Sequence, residues 1–334
     1  MKKEAKFWEK LSDDTVQCTL CSHNCKLKDE QLGICRVRKN QNGELFTLIY
    51  GSCSSIAADP IEKKPLYHFH PGSSALSLGT VGCNFKCMHC QNFDISTANP
   101  NFHSIKELSA EDTIELAHQY GCQGIAYTYN EPTIWHEFTF DSAKLAKENN
   151  LYTVYVTNGY ISKKPLEEIS NFLDAMNIDV KAFSDGFYKK VCKASLKPVL
   201  DTCILAKKLG IHIELTYLVI PTYNDSAKEV EDFCRWVVKN LGKDTPVHFS
   251  CFHPDYNLRD VPRTSMQKML QVYDISKKSG LLYTYLGNVP NGDYENTICP
   301  CCGEVIIERK GFFIKNNALD KGKCAKCGQE LPFK

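Results

Sequence analysis

Hydrophobic and polar residues follow two different rhythms along the middle of the chain. Short runs rich in β-branched and aromatic residues predict strands at 75–81, 124–129, 152–157, 175–180, 212–220, 247–252 and 282–286. Between them, apolar residues recur at helical spacing over 109–120, 134–149, 164–173, 198–209, 226–241 and 265–279. This alternation favours βαβ units around a parallel sheet, so we predict an α/β fold with an open or full barrel.

The chain divides into three segments by pattern and composition. Residues 1–74 hold a first set of cysteines and a short β-like run at 45–50, 75–292 hold the strand–helix alternation, and 293–334 form a cysteine-rich tail. A turn is predicted at 290–293, where the tail begins. In parallel α/β folds the active residues lie at the carboxyl ends of strands, so we expect the functional side chains there.

Charge and hydropathy narrow the possible partners. The 40 Lys and Arg residues nearly balance the 39 Asp and Glu residues, which gives no broad electrostatic case for binding nucleic acid or an anionic membrane. The first 14 residues are charged and polar and contain no apolar signal-peptide core, and no apolar run reaches membrane-spanning length. We therefore expect a cytoplasmic protein.

Cysteine is the unusual residue, with 18 in 334 positions. Such a chain is too long for a disulfide-stapled secreted module, so short-range clustering of thiols points to metal ligation. Three clusters stand out. We call them the N-terminal cysteine group (Cys18, Cys21, Cys25 and Cys35), the central cysteine triplet (Cys83, Cys87 and Cys90) and the C-terminal cysteine group (Cys299, Cys302, Cys324 and Cys327).

The central cysteine triplet follows the first predicted barrel strand with the spacing C-x3-C-x2-C. Three thiolates on one short loop can bind three irons of a cubane and leave the fourth iron without a protein ligand. An open iron can bind a substrate or cofactor, whereas a closed four-cysteine site serves structure or electron transfer. The alternative interpretations are a zinc site or a coincidence of spacing.

Polar residues end several later strands. Glu131 follows the second strand, Thr157-Asn158 ends the third, and Asp179 and Lys181 share one face at the end of the fourth. Asp179 and Lys181 form either a structural ion pair or part of a ligand pocket.

Taken together, the segments CTLCSHNC, GICRVR, GTVGCNFKCMHCQN, YTYNEPT, YVTNGY, NIDVKAF and YLGNVP resemble the radical S-adenosylmethionine (SAM) component of the AmmeMemoRadiSam system, a relative of pyruvate formate-lyase activating enzymes. The resemblance covers nearly the whole chain. It implies a partial (β/α)6 barrel, one [4Fe–4S] cluster, SAM, and partner proteins of the Memo and AMMECR types. A one-electron reductant such as flavodoxin or ferredoxin is also expected.

The resemblance also implies roles for single residues. SAM would occupy the open iron of the central cysteine triplet and be cleaved to a 5′-deoxyadenosyl radical. His89 would pack near the adenine, and Glu131-Pro132 stands where related enzymes have a Gly-Gly-Glu-Pro element that binds the SAM amino group. Thr157 and Asn158 match an element that contacts ribose and carboxylate, and Lys181 is a further candidate contact.

The two outer groups each supply four thiolates. The N-terminal cysteine group fits either zinc or an auxiliary iron–sulfur cluster, and its spacing does not decide between them. The C-terminal cysteine group has two C-x2-C-G knuckles around a β-rich span, which predicts a zinc ribbon with a structural or docking role. Cys301 is left over.

The sequence thus predicts an enzyme that cleaves SAM reductively and abstracts hydrogen from an unidentified protein or small molecule. One alternative is an activase that installs a glycyl radical on a partner protein, although the lead-in that such activases show before the cluster loop is not found here. A different class of alternative is a metal-stabilised redox sensor or interaction protein.

Overall fold

A central sheet of eight strands organises the computed structural model, which describes residues 1–12, 14–101, 105–290 and 292–334. The strands are β1 (Ser55–Pro60), β2 (Ser74–Gly79), β3 (Gly124–Tyr127), β4 (Tyr152–Thr157), β5 (Ala175–Asp179), β6 (His212–Val219), β7 (Val247–Cys251) and β8 (Thr284–Gly287). They lie side by side in chain order, with β2 to β8 parallel and β1 antiparallel to β2. This order fits a partial barrel.

One long helix connects each pair of consecutive parallel strands. The helices are α1 (Ala110–Gln119), α2 (His136–Glu148), α3 (Lys163–Ile169), α4 (Leu196–Lys208), α5 (Ala227–Leu241) and α6 (Met266–Lys278). Shorter helical turns occur at Ile61–Lys63, Phe93–Ser96, Pro132–Trp135, Asp185–Phe187, Tyr188–Cys192 and Gly292–Glu295. Six strand–helix units and a closing strand therefore confirm the predicted α/β alternation.

The local sequence explains why these helices begin and pack as they do. Ser109 accepts a hydrogen bond from the Asp112 backbone while the Asp112 side chain accepts one from the Ser109 backbone, a capping box that starts α1. The buried positions of α5 recur at helical spacing: Val230, Phe233, Cys234, Val237 and Leu241. That single apolar face packs α5 against the sheet.

One strand of the sheet departs from the predicted pattern. β1 lies within residues 1–74, the stretch that composition groups with the N-terminal segment, yet it pairs along its whole length with β2. Its sequence, SIAADP, has one large apolar residue, Ile56, and its Asp59 is held by ion pairs with Lys63 and Lys64. Strand ends elsewhere shift by a few residues, as at β8. The turn predicted at 290–293 includes Asn291, which lies outside the described residues.

The N-terminal segment forms two small antiparallel sheets. One contains Trp8–Lys10, Val16–Cys18 and Lys26–Leu27, the other Lys3–Glu4, Arg38–Gln41 and Glu44–Thr47, and a further ladder pairs Ser52–Cys53 with Lys106–Glu107. Arg38 binds Glu137 of α2 at 2.5 Å, with both side chains buried. This buried ion pair ties the N-terminal segment to the barrel.

The tail forms a three-stranded sheet of Thr297–Ile298, Val305–Lys310 and Phe313–Asn317 and a two-stranded ladder of Leu319–Asp320 with Lys323–Cys324. It packs against the barrel through the buried Arg309, which donates to the Tyr67 carbonyl at 2.8 Å. Phe333 stacks on His68 with ring centroids 4.4 Å apart. Among the described helices, none has the length and apolar character needed to cross a membrane.

Candidate functional site

A cavity of about 440 Å³ opens at the carboxyl ends of the parallel strands. Successive strands contribute lining residues at or just beyond their ends: Thr128, Thr157, Asp179, Leu218, Ser250 and Asn288. Cys83, Cys87 and Cys90 line the same cavity, on the loop that follows β2. The structure thus brings the central cysteine triplet to the edge of the sheet where active residues of such folds lie.

Backbone contacts fix the cysteine loop on both sides. The Asn130 side chain accepts from the Thr80 backbone at 3.1 Å and donates to the Gly82 carbonyl at 2.7 Å. On the other side, the Lys86 backbone donates to the Cys192 carbonyl at 3.0 Å. The loop is therefore held by the end of β3 and by the Tyr188–Cys192 turn.

Glu131 is fully buried and does not line the cavity. Its carboxylate accepts from the Thr157 hydroxyl at 2.6 Å, the Asn158 backbone at 2.8 Å and the Thr133 backbone at 3.0 Å. Burial raises the pKa of Glu131, and these hydrogen bonds oppose the shift. In this structure Glu131 holds the end of β4; its contact with SAM stays a prediction.

Thr157 and Asn158 line the cavity, and Asn158 extends the network to the cysteine loop. Its amide donates to Asn84 Oδ1 at 2.8 Å and lies 3.8 Å from Cys83 Sγ. A buried chain of hydrogen bonds therefore runs from Glu131 through Asn158 to the residue beside the first cysteine.

Tyr129 occupies the first of the two positions where related enzymes have Gly-Gly. Its φ of +73° lies in the left-handed region that glycine favours. Its hydroxyl donates to Asp59 at 2.9 Å, which holds the side chain in place. The local backbone thus keeps a glycine-like conformation although the residue is tyrosine.

Lys181 and Asp179 form an ion pair of 2.8 Å on the cavity wall. Burial lowers the pKa of Lys181, but the Asp179 carboxylate and the Cys87 and Cys192 thiols together outweigh burial and hold that pKa well above its usual value. Of the two alternatives, the ion pair forms in the structure, and it also presents a fixed ammonium group to the cavity. A contact of Lys181 with SAM stays a prediction.

His89 also lines the cavity, and its side chain is buried. Burial lowers the pKa of His89 to about 3, with Lys181 adding to the effect, so the ring is neutral. Its Nδ1 atom has no hydrogen-bond partner within the described residues. A buried, unpartnered ring nitrogen beside the cysteines suits a cavity that receives a polar ligand.

Comparison with known proteins identifies the family. A profile of the Radical SAM superfamily matches residues 77–237, from β2 into α5. The chain belongs to the radical SAM superfamily. An uncharacterized protein of Methanocaldococcus jannaschii, MJ0808, is 47% identical over 98% of both chains.

More distant similarities agree with that family. The pyruvate formate-lyase-activating enzyme of Clostridium pasteurianum is 24% identical over 56% of this chain and 83% of its own. A radical SAM methyltransferase from Sphaerobacter thermophilus shares the fold with a TM-score of 0.52, at 15% identity over 71% of each chain. The radical SAM family implies a [4Fe–4S] cluster and SAM, and the cavity with its three cysteines and the unpartnered His89 nitrogen fits both groups.

Two features of this radical SAM site were not predicted from sequence. The Cys192 carbonyl accepts a hydrogen bond from the Lys86 backbone beside Cys87, yet Cys192 is fully buried and does not line the cavity. Lys63 and Lys64 do line the cavity, and Lys64 is buried in its ion pair with Asp59. Both features arise from segments distant in sequence, so no local motif points to them.

The C-terminal cysteine group of this radical SAM protein forms a compact cluster. Cys299 and Cys327 sulfurs are 3.7 Å apart, as are those of Cys302 and Cys324, and all four lie within 4.8 Å of one another. Four sulfurs about 2.3 Å from a tetrahedral ion stand about 3.8 Å apart, so the group could bind a metal ion. Cys301 is exposed and is not part of the set.

Proposed function

We propose that this protein is a radical SAM enzyme that cleaves SAM reductively at a [4Fe–4S] cluster and abstracts hydrogen from a substrate still to be identified. The observation that carries the proposal is the cavity itself. Cys83, Cys87 and Cys90 line it, and no further cysteine does so among the residues the structure describes. Three thiolates leave one iron of a cubane free for a cofactor.

In this proposal the residues of the chain bind SAM and position it. A [4Fe–4S] cluster held by the central cysteine triplet would supply the electron for reductive cleavage of SAM. Lys181, fixed by Asp179, offers a positive charge to a carboxylate, and Asn158 holds its amide beside the first cysteine. The buried Glu131 keeps Thr157 and Asn158 at the cavity, so we propose it as a positioning residue.

Anaerobic reconstitution with SAM and dithionite tests the proposal through the yield of 5′-deoxyadenosine. Wild type is expected to form the product and Cys87→Ala to lose it, because a missing thiolate leaves two ligands for the cluster. Cys203→Ala is the matched control, since it removes a buried thiol of α4 that does not line the cavity. Equal product from wild type and Cys87→Ala would contradict the proposal.

A second candidate is a glycyl-radical activase acting on a partner protein. The similarity to the Clostridium pasteurianum activating enzyme favours it, although that similarity covers 56% of this chain. The same reconstituted enzyme can be mixed with a candidate partner. A glycyl-radical doublet in the electron paramagnetic resonance (EPR) spectrum would then support activation.

We also propose the finer assignment to the AmmeMemoRadiSam group, with Memo-type and AMMECR-type partners, on the sequence motifs given under Sequence analysis.

Zinc is the metal proposed for the C-terminal cysteine group, because its sulfur spacing matches tetrahedral thiolate zinc. A flavodoxin or ferredoxin is proposed as the electron donor.

A further inference from the structure

The N-terminal cysteine group comes together in the fold. Its four cysteines line one small enclosed cavity, although they lie on several different strands and turns. The Cys18 backbone donates to the Cys25 carbonyl at 2.9 Å, which joins the first and third members. A Cβ atom placed on Gly33 would stand 3.6 Å from Cys35 Sγ and 3.9 Å from Cys25 Sγ, so the glycine lies against both sulfurs. The group is thus a built site.

The spacing of the sulfurs separates this site from a single-ion site. Among the described residues, the C-terminal cysteine group is the set of potential ligands whose donor atoms all lie within 4.8 Å. Within the described residues, neither the N-terminal cysteine group nor the central cysteine triplet brings three or more donor atoms close enough together to share one ion. A cubane binds each cysteine through a different iron, so its sulfurs stand further apart than those around one zinc ion. The wider spacing therefore favours a cluster.

A buried cation faces the same cavity. Arg38 lines it and is 1% exposed, and its Nε and Nη1 atoms have no hydrogen-bond partner in the described part of the chain. Only Nη2 is used, in the bonds to Glu137 and the Lys6 carbonyl. Unpaired donors of a buried guanidinium are costly, so they indicate a negatively charged occupant such as a thiolate-bound cluster.

The site also touches the loop of the central cysteine triplet. The His23 ring, between the second and third cysteines, forms a 2.7 Å hydrogen bond with the Asn84 carbonyl, next to Cys83. A Cβ atom placed on Gly82 would lie 2.7 Å from the Cys35 carbonyl oxygen. The two cysteine sites are therefore joined by one hydrogen bond and by direct backbone packing.

We propose that the N-terminal cysteine group binds a second [4Fe–4S] cluster that passes electrons to the central cysteine triplet. A low-potential one-electron donor protein would reduce the second cluster by one electron. That cluster would be reoxidised when the electron moves inward, so it returns to its starting state and no atom is transferred. The electron-relay part rests on the proposed function, whereas the metal assignment does not.

Metal analysis of a variant without the central ligands tests the assignment. Cys83, Cys87 and Cys90 are all replaced by alanine, and the protein is reconstituted anaerobically with iron and sulfide. We expect about four irons and four sulfides per chain, with zinc in the tail and a cluster EPR signal after dithionite reduction. Absence of iron together with about two zinc ions per chain would overturn the proposal.

Two further variants locate the iron. Adding Cys35→Ala to the triple variant is expected to remove the remaining iron, whereas adding Cys122→Ala, a buried cysteine of the barrel, should leave it. If iron stays after Cys35→Ala, the cluster is not where we place it. Iron in the triple variant but no 5′-deoxyadenosine from wild type would reject the proposed function and keep this site.

Electron transfer from the second cluster is tested in protein that keeps the central cysteine triplet. Reduced flavodoxin is mixed with wild type or Cys35→Ala, and reduction of the central cluster is followed by optical bleaching. Loss of most of the reduction rate in Cys35→Ala, with dithionite reduction retained, is the expected result. An unchanged rate with flavodoxin would overturn the relay.

Discussion

At the scale of single residues, Gly82 shows how tightly the cysteine loop is built. Its φ is +83°, and an added Cβ would lie 2.7 Å from the Cys35 carbonyl oxygen and from Val37 Cγ1. We expect Gly82→Ala to destabilise the protein by roughly 1–3 kcal/mol and to lower the iron content after reconstitution. Denaturant titration and iron analysis measure both effects.

Gly210 provides the control for that substitution. It has the same φ of +83° but nothing within 4 Å of an added Cβ, so Gly210→Ala carries the backbone strain without the clash. If Gly82→Ala lowered the free energy of unfolding and the iron content no more than Gly210→Ala does, close packing around Gly82 would not explain the loss.

Single residues also show what sequence could and could not predict about the site. That the central cysteine triplet comes together was predictable because its three cysteines lie within eight residues of one loop. Cys192 and Lys64 were not, because only the folded chain brings them to the loop and the cavity. Glu131 was placed at the right strand end, but its burial behind Thr157 depends on packing that a motif does not encode.

At the scale of elements, the position of β1 is stabilised by the ion pairs of its residue Asp59. Asp59 accepts from Lys63 at 2.8 Å, Lys64 at 2.7 Å and the Tyr129 hydroxyl at 2.9 Å. Burial raises the pKa of Asp59, but the two lysines outweigh burial and hold that pKa well below its usual value. Since the folded pKa is the lower one, this stabilisation is present above the unfolded pKa of about 3.9 and is lost as the pH falls below it.

Asp59→Asn is therefore expected to be less stable than wild type at pH 7, with the difference narrowing as the pH is lowered towards 3. Unfolding free energies from urea titrations at several pH values measure the trend. Asp232→Asn is the control, because its ion pair with Lys228 is exposed and should contribute little. A difference between wild type and Asp59→Asn that is constant with pH would contradict the linkage.

The elements of the sheet were largely predictable from periodicity, since β2 to β8 are apolar runs separated by amphipathic helices. β1 was not, because its stability comes from pairing with β2 and from Asp59 contacts across sequence. A local sequence pattern predicts elements that bury an apolar face, and the apolar residues of β1 are not fully buried.

At the scale of the whole molecule, the tail and the barrel are joined through a buried cation. Arg309 donates to Tyr67 and Thr297 and lies 3.8 Å from Glu62.

We expect Cys302→Ala to lose tail zinc and also to lower the melting temperature of the barrel, because a disordered tail withdraws Arg309 from Glu62. Zinc analysis and circular dichroism melts measure this, with Cys301→Ala as the control; equal zinc in the two variants would contradict the ligand set.

The Arg38–Glu137 pair has a consequence for dissecting the protein into fragments. A truncated chain starting at β1 would keep Glu137 in α2 but remove both Arg38 and the Lys6 backbone N–H that its carboxylate binds. In the full chain the Glu137 side chain is only 3% exposed, so part of the barrel surface is covered by the first 50 residues. A fragment without them would expose to solvent a charged face that is interior in the full chain.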